Sequence, residues 1–552
     1  MSNTLFSKIA LSLSGGGYRA TAFHLGTLSL LNHIQFTQPD GTISPLLDRV
    51  KALSTISGGT FTGVMWAYHN SQGQPFEVCF NKLYGLLETE DLVESAFAKL
   101  KGKRRWTNPN KTKKLINAFA EVYNDDFFNQ ADFAALIGKD SQLTIDSISF
   151  NATEFRYGLA FRFQNQGLFG NHYLQLDRDQ MGEIKLGDIV ASSSCFPGGF
   201  EPLVFPNDYQ QSKDGPLASN WKKTTRSTDP IAIMDGGIID NQGIDSIVFA
   251  EDRLEKSQQW NATDSTIDTF IASDVEGKTM NPYEVPRPDA DTSKRSINSL
   301  RTILWIVFLL SSGLFLAASY MVIDQSITGW ILGVALGAIL GAASLALNLA
   351  IGKMQRMVGT SLQSVVSQSE TDIKQELGVL FNAPLPILKS LIQLRITSVL
   401  TMVNDVFLKR IRRLQYARLY SDDSPWKDKM IANFIYSLLD KRYKLRDGSS
   451  KYQLSDQAYK LIKQARSMPT TLWFSKQEKK DKMLDSLIIS GQMTICFKLI
   501  RHLNKKRRLA DYTLRYQEQL ADIDNLQKEL EACWRRFNKE PQWLLEEVSK
   551  KP

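Results

Sequence analysis

Two stretches of this 552-residue chain restrict its fold more than any others: Thr302 to Ile323 and Ile327 to Gly352 run without a charged side chain, separated only by Asp324, Gln325 and Ser326. About 20 apolar helical residues cross the hydrocarbon of a bilayer. Inside lipid the backbone must satisfy its own hydrogen bonds, as a helix or a closed barrel does. The pattern therefore predicts a transmembrane helical hairpin over residues 301–352, the alternative being a pair of buried core helices in a soluble domain. Lys294, Arg295 and Arg301 precede the first stretch, Lys353 and Arg356 follow the second, and the link carries only an aspartate. By the positive-inside rule both flanks, and the rest of the chain with them, lie on the cytoplasmic side. Gly329, Gly333, Gly337 and Gly341 recur at four-residue spacing along the second stretch, a stripe that lets helix backbones approach closely. Its partner is either the first stretch, which offers Gly313, Ala317 and Ala318, or the same stretch of another subunit, giving a homo-oligomer through Gly333, Gly337 and Gly341.

The remaining sequence is that of folded protein, 43% hydrophobic and 22% charged, with the α/β alternation of a parallel sheet near its start. Three short apolar runs there end in chemistry-bearing residues. Ile9, Leu11 and Leu13 alternate with smaller residues, as in a strand, and lead into Ser14-Gly15-Gly16-Gly17-Tyr18-Arg19; with no basic region before it, this run reads as a strand rather than a signal peptide. Val50 to Ile56 leads into Ser57-Gly58-Gly59 and a helix. Ile231 to Met234 leads into Asp235-Gly236-Gly237. A serine on a sharp strand-to-helix turn presents its hydroxyl, and the N–H groups after it point at the carbonyl it attacks. The general elbow signature is G-x-S-x-G, and Thr55 stands where its first glycine is expected. In an open α/β sheet, sites assemble at the ends of parallel strands.

Taken together, these motifs resemble the patatin-like phospholipase family of lipid acyl hydrolases, whose catalytic pair is a serine and an aspartate without a histidine. The resemblance covers about the first 275 residues and includes Asn151-Ala152-Thr153 and the run Ala191 to Pro197. It implies Ser57 as nucleophile, Asp235 as general base, N–H groups of Gly15, Gly16, Gly17 and Gly58 as the oxyanion hole, and Arg19 as a basic residue that binds a substrate phosphate or braces the loop. The expected fold is a patatin-like three-layer α/β/α catalytic domain over residues 1–290, the transmembrane hairpin, a helical region over 353–503 and a charged C-terminal helix over 504–552. The segment from Met468 through Ser490 to Leu503 looks similar to the closing element of the patatin core, which would make the hairpin an insertion. The implied partners are a phospholipid bilayer and an acyl-lipid substrate, with no cofactor and no metal. The rival readings are a membrane scaffold that kept the fold without its chemistry, supported by Thr55, and a lipid transacylase.

Other features are weighed against this reading. The net charge of +8 suits either lipid or nucleic acid, and the uncharged stretches decide for lipid and against nucleic acid. Lys99, Lys101, Lys103, Arg104, Arg105, Trp106, Lys111, Lys113 and Lys114 form a basic run, either a solvated face or a membrane-facing cap. His172 and Asp177 spell H-x-x-x-x-D, an acyltransferase pattern. The alternation around them predicts a strand, which would turn the two residues to opposite faces. Cys79, Cys195, Cys496 and Cys533 fit no ligand or disulfide spacing and read as free thiols.

Overall fold

The computed structural model describes residues 5–37, 41–212, 214–219, 230–258, 267–276, 295–320, 327–365, 381–446, 451–471, 473–510 and 520–550. The chain divides into two compact units, Met1–Met280 with Val403–Pro552, and Asn281–Met402.

The first unit is built on β1 (Ile9–Leu13), β2 (Gln35–Thr37), β3 (Ile43–Pro45), β4 (Val50–Ile56), β5 (Ser147–Glu154), β6 (Leu159–Gln164), β7 (Leu203–Phe205), β8 (Ile231–Asp235), β9 (Thr269–Asp274) and β10 (Met430–Phe434). Eight of these form one sheet in the order β10-β9-β1-β4-β5-β8-β7, with β6 also on β5, while β2 and β3 pair separately. The sheet is mixed: β10, β9, β1, β4 and β5 run parallel, and β6, β7 and β8 add antiparallel pairs. Successive strand residues point to opposite faces, so Ile9, Leu11, Leu13 and Ile271 enter one core while Ala10, Ala52, Phe270 and Ala272 enter another. Both faces are therefore covered by helices, as a parallel sheet requires.

On the first face lies α1 (Gly17–His33), crossed by the helix Met483–Ala510. A Cβ at Gly26 would stand 2.0 Å from the Ile488 oxygen and one at Gly491 2.1 Å from the Phe23 oxygen, so only glycines permit this crossing. On the other face the helices Ile244–Gln258 and Leu408–Tyr420 bury Ile244, Ile247 and Leu419. Residues beyond 403 thus complete the sheet and its first face. Two expectations are corrected here. The region 353–503, read as helical, contains the edge strand β10, whose five-residue apolar run lacks a period of its own. The single helix expected from 504 is the end of Met483–Ala510 followed by a separate helix, Leu520–Lys539, with residues 511–519 outside those described.

In the second unit the helices Ile297–Tyr320 and Ile327–Val365 pack on one another; the link Asp324 to Ser326 and Lys294 lie outside the described residues. A Cβ at Gly337 would stand 2.9 Å from the Ser311 oxygen and 3.0 Å from the Phe315 nitrogen, and one at Gly341 would face Ser311. The first helix therefore packs into the groove at these two glycines, whereas Gly313 faces no neighbour within 4 Å. At one end Arg301 bonds Asn348 and Gln355 across the pair. Among the described residues, three helices are long and apolar enough to cross a membrane. In the most apolar parts of Ile297–Tyr320 and Val334–Met357, 11% and 22% of the residues are buried, against 89% in Met483–Arg508. The third is a core helix.

Candidate functional site

Ser57 sits between β4 and α2 (Gly58–Ser71) with φ 48° and ψ −119°, a backbone conformation that a non-glycine residue keeps only when its surroundings over-determine it. The determinants are local and distant. The Ser57 N–H donates to Ser193 Oγ at 2.8 Å, and the Thr60 N–H donates to the Ser57 oxygen at 2.8 Å. Ser193 Oγ gives its own proton to the Asn151 carbonyl at 2.7 Å, so Thr60 Oγ1 must donate to Ser193 (2.8 Å) and Thr55 Oγ1 to Thr60 (2.9 Å). Thr55 is thus part of the scaffold that holds the elbow. Its methyl is accommodated because residue 63 is glycine, where a Cβ would lie 2.3 Å from Thr55 Cγ2.

The glycine loop forms the N-terminus of α1, which begins at Gly17, earlier than the apolar pattern indicates. Gly16 and Gly17 have φ of 141° and 60°, values that favour glycine. A Cβ at Gly58 would stand 2.0 Å from the Gly17 oxygen, so the loop and the elbow touch backbone to backbone. The Gly15 N–H is committed to the Asn241 oxygen at 3.0 Å and the Tyr18 N–H to the Thr471 oxygen at 2.8 Å. Gly15 is therefore corrected from oxyanion donor to spacer: a Cβ there would meet Asn241 Oδ1 at 2.3 Å and Ser57 Cβ at 3.2 Å. The N–H groups of Gly16, Gly17 and Gly58 have no acceptor among the described residues, as expected at the first turns of two helices.

Asp235 reaches the same place by an antiparallel route. Because β8 runs against β5, its last residue pairs with Ala152, one position past the Asn151–Ile56 pair that ends β4. The Gly237 N–H donates to the Asp235 carboxylate at 2.7 Å. Burial raises the pKa of that carboxylate to about 6, and the neighbouring Gly237 N–H and Ser57 hydroxyl oppose the rise. The Asp235 N–H donates to the Cys195 oxygen at 3.1 Å and its carbonyl accepts from Thr153 Oγ1 at 2.8 Å, which fixes the carboxylate's position. Serine and aspartate are both buried, 6% and 5% exposed.

A family model for Patatin-like phospholipase matches residues 11–248, from the strand before the glycine loop to just past Asp235. The chain carries a patatin-like phospholipase domain. A comparison with curated proteins finds no match. The patatin-like match stops short of β9, β10 and Met483–Ala510, although these complete the sheet on which it is built.

Several residues that support the patatin-like site carry no local sequence signal. Asn241 takes the Gly15 N–H on its backbone and lays Oδ1 against Gly15 and Gly237. It joins the glycine loop to the turn after Asp235. His24, fully buried under the same loop, contacts the Ser14 oxygen through Nε2 at 3.0 Å and Ser273 Oγ through Nδ1 at 2.9 Å. A carbonyl can only accept, so Nε2 carries the proton; burial lowers the pKa of this ring to about 4 and keeps it neutral. The contacts Asn241–Gly15 and His24–Ser273 join residues far apart in the chain, which is why pattern reading misses them.

Of the two roles the resemblance implies for Arg19, its bonds are those of bracing. Nη1 donates to the Met468 oxygen at 3.0 Å and Nη2 to Thr470 Oγ1 at 2.9 Å, tying the start of α1 to the segment that covers it. The basic run is neither a solvated face nor a cationic cap along its length. Lys99 is fully buried between Glu121 and Asp125 (3.5 and 2.7 Å), Lys111 pairs with buried Asp188, Arg104 with Asp126, and Trp106 Nε1 donates to the Asn108 oxygen. Residues 172–176 are also not a strand, having only the single bridge between Gly170 and Gln175. His172 is exposed, and Asp177 caps the helix Arg178–Gly182 in a capping box with Gln180. Among the described residues no group of three or more His, Cys, Asp or Glu is placed to hold a metal.

Proposed function

We propose that the patatin-like domain is a serine hydrolase that cleaves acyl esters of membrane lipids through Ser57 and Asp235. The observation that carries this reading is the buried Asp235 carboxylate beside the Ser57 hydroxyl, next to the uncommitted N–H groups of Gly16, Gly17 and Gly58. As Ser57 Oγ bonds to the acyl carbon, its proton passes to Asp235, and the carbonyl oxygen takes up negative charge facing those N–H groups, each worth about 3 kcal/mol in such a role. Collapse breaks the ester C–O bond, and Asp235 returns the proton to the departing alcohol oxygen. Water then gives a proton to Asp235, attacks the acyl-enzyme and releases the fatty acid, and Ser57 recovers its proton. If a second lipid alcohol takes the place of water, the same first half-reaction becomes transacylation.

A fluorophosphonate probe should label the parent chain and not Ser57→Ala. Mass spectrometry of membranes holding each should show free fatty acid and lysolipid only with the parent. Labelling of Ser57→Ala at the parent's rate would remove Ser57 from the mechanism. His172→Ala should hydrolyse normally, as its exposed position implies.

The same proposal anchors the enzyme in a bilayer through the helices Ile297–Tyr320 and Ile327–Val365, with the patatin-like domain cytoplasmic. Support comes from the low burial of their apolar parts and from the cations Arg295, Arg301, Lys353 and Arg356 at their outer flanks. An impermeant maleimide added outside cells should label a cysteine placed at Asp324 and spare one placed at Ser2. The reverse pattern would invert the topology.

A further inference from the structure

The glycine loop is held by the end of β9, which lies level with the ends of β1 and β4: Leu13 pairs with Ser273 on one side and with Thr55 on the other. The Ser14 N–H donates to the Ser273 oxygen at 3.0 Å, and Ser14 Oγ accepts the Val275 N–H at 3.1 Å. A Cβ at Gly16 would stand 2.5 Å from Val275 Cγ2, so the loop rests directly on that side chain. Where the Gly16 and Gly17 N–H groups come to lie beside Ser57 is therefore set by residues 273–275. All three stand beyond the patatin-like match, which ends at residue 248.

What fixes residues 273–275 is a buried carboxylate. Asp274 is fully buried; its Oδ1 accepts the Glu276 N–H at 2.8 Å, which turns the chain as the strand ends, and its Oδ2 accepts Arg412 Nε at 2.8 Å and the Tyr416 hydroxyl at 3.1 Å. Arg412 is supplied by the helix Leu408–Tyr420, 138 residues away in the chain. Its guanidinium lies 5.3, 4.9 and 5.9 Å from the rings of Tyr416, Phe434 and Tyr436. Nε also stands 3.7 Å from Glu276 Oε2, the oxygen that accepts Gln242 Nε2 at 3.3 Å. Gln242 follows Asn241, whose carbonyl takes the Gly15 N–H. One guanidinium thus meets two carboxylates, one joined to the glycine loop through Ser273 and Val275, the other to the turn after Asp235. A buried carboxylate deprived of its cation takes up a proton or admits water, and the bonds that it directs are re-aimed.

From this arrangement we infer that Arg412 is a positioning residue for the ester hydrolysis: by holding Asp274 and Glu276 it sets where the glycine loop presents the Gly16 and Gly17 N–H groups to the carbonyl oxygen. The inference rests on the proposed hydrolase function. Donors placed for the charge of the transition state contribute little to binding of the neutral ester, so a displaced loop lowers kcat and spares KM. Asp235 keeps its own bonds to Gly237 and Cys195, so its titration is unaffected.

Arg412→Lys keeps the charge and loses the planar fork. In the full chain, on a soluble short-chain ester, it should lose about ten-fold or more in kcat with KM within about two-fold of the parent. The acidic limb of its kcat/KM profile should keep the parent's midpoint. Hydrogen exchange at the Ser14 and Gly15 amides should speed up by about ten-fold or more, with that of Leu25, Leu28 and Leu31 in α1 unchanged. Tyr416→Phe, which removes only the second donor to Asp274 Oδ2, should show the same pattern at about three-fold and decides the matter if Arg412→Lys does not fold. Lys429→Met breaks the pair that Lys429 makes with Glu251 (3.2 Å) at the other end of β9 and β10. It should leave kcat and the loop's exchange as in the parent, whatever it does to the melting temperature. Unchanged kcat in both Arg412→Lys and Tyr416→Phe, or a fall that Lys429→Met reproduces, would overturn the positioning role. If the loop's exchange rises in Arg412→Lys while Ser57→Ala hydrolyses the ester at the parent's rate, Arg412 holds the loop and the hydrolase reading fails.

Discussion

Asp235 is held as a weak acid by its surroundings, and two measurable effects follow. Burial raises its pKa to about 6, so the carboxylate proposed to accept the Ser57 proton is depleted as the pH falls through that value. The kcat/KM for a soluble ester should decline below about pH 6 with the slope of a single proton, and a profile flat down to pH 5 would remove Asp235 as the base. The stability effect has the opposite sign. An acid whose folded pKa lies above its unfolded value, about 3.9, contributes stability that is present below the unfolded pKa and lost as the pH rises through the folded one. Above pH 6 the buried charge opposes folding, by on the order of 3 kcal/mol at most. Asp235→Asn should therefore be inactive and melt at a higher temperature than the parent at neutral pH; a lower melting temperature would mean that the ionised form holds the site together. At this scale Ser57, Asp235 and the glycines were marked as candidates because each stands in a short pattern of its own. Asn241, Ser193 and His24 were not, since their roles exist only through partners distant in sequence, and Gly15 changed role, and Arg19 took the bracing one, once their acceptors were known.

The elbow shows how two elements accommodate each other. Thr55 departs from the general signature, yet its hydroxyl feeds the hydrogen-bond chain through Thr60 and Ser193, and its methyl fits against Gly63 of α2. Gly63→Ala should place a methyl 2.3 Å from Thr55 Cγ2 and destabilise the unit by about 1–3 kcal/mol, the usual range for overpacking. Adding Thr55→Ser, which removes that methyl and keeps the hydroxyl, should restore most of the loss in a double-mutant cycle read by thermal unfolding and fluorophosphonate labelling. Additive effects would show that the two positions do not meet. The basic run teaches the converse about elements. Its charges read as surface, but Lys99 and Lys111 are buried among carboxylates contributed by separate segments, Glu121, Asp125 and Asp188. Whether a cation is solvated or paired depends on what packs over it.

At the scale of the whole molecule, the patatin-like unit is assembled from both sides of the apolar helices. The edge strand β10 and the helix Met483–Ala510, with its buried Leu487, Ile488 and Leu499, belong to the same core as β1 and α1. A chain ending at residue 290 should therefore expose one face of the sheet and aggregate, and adding residues 403–552 in trans should recover soluble, probe-reactive protein. A soluble and active 1–290 fragment would show that the first segment closes its own core. The sequence alone determined what is written locally: apolar periods, glycine punctuation at three strand ends, and two uncharged runs too long for an ordinary core helix. Only the tertiary structure decided that β8 runs antiparallel and so brings Asp235 level with Ser57, that β10 completes the sheet from beyond the apolar helices, and that Met483–Arg508 is buried in protein. These are pairings between residues far apart in the chain. Strand direction and helix burial are set by the competition among all available partners for backbone hydrogen bonds and apolar area, and no single segment carries that information.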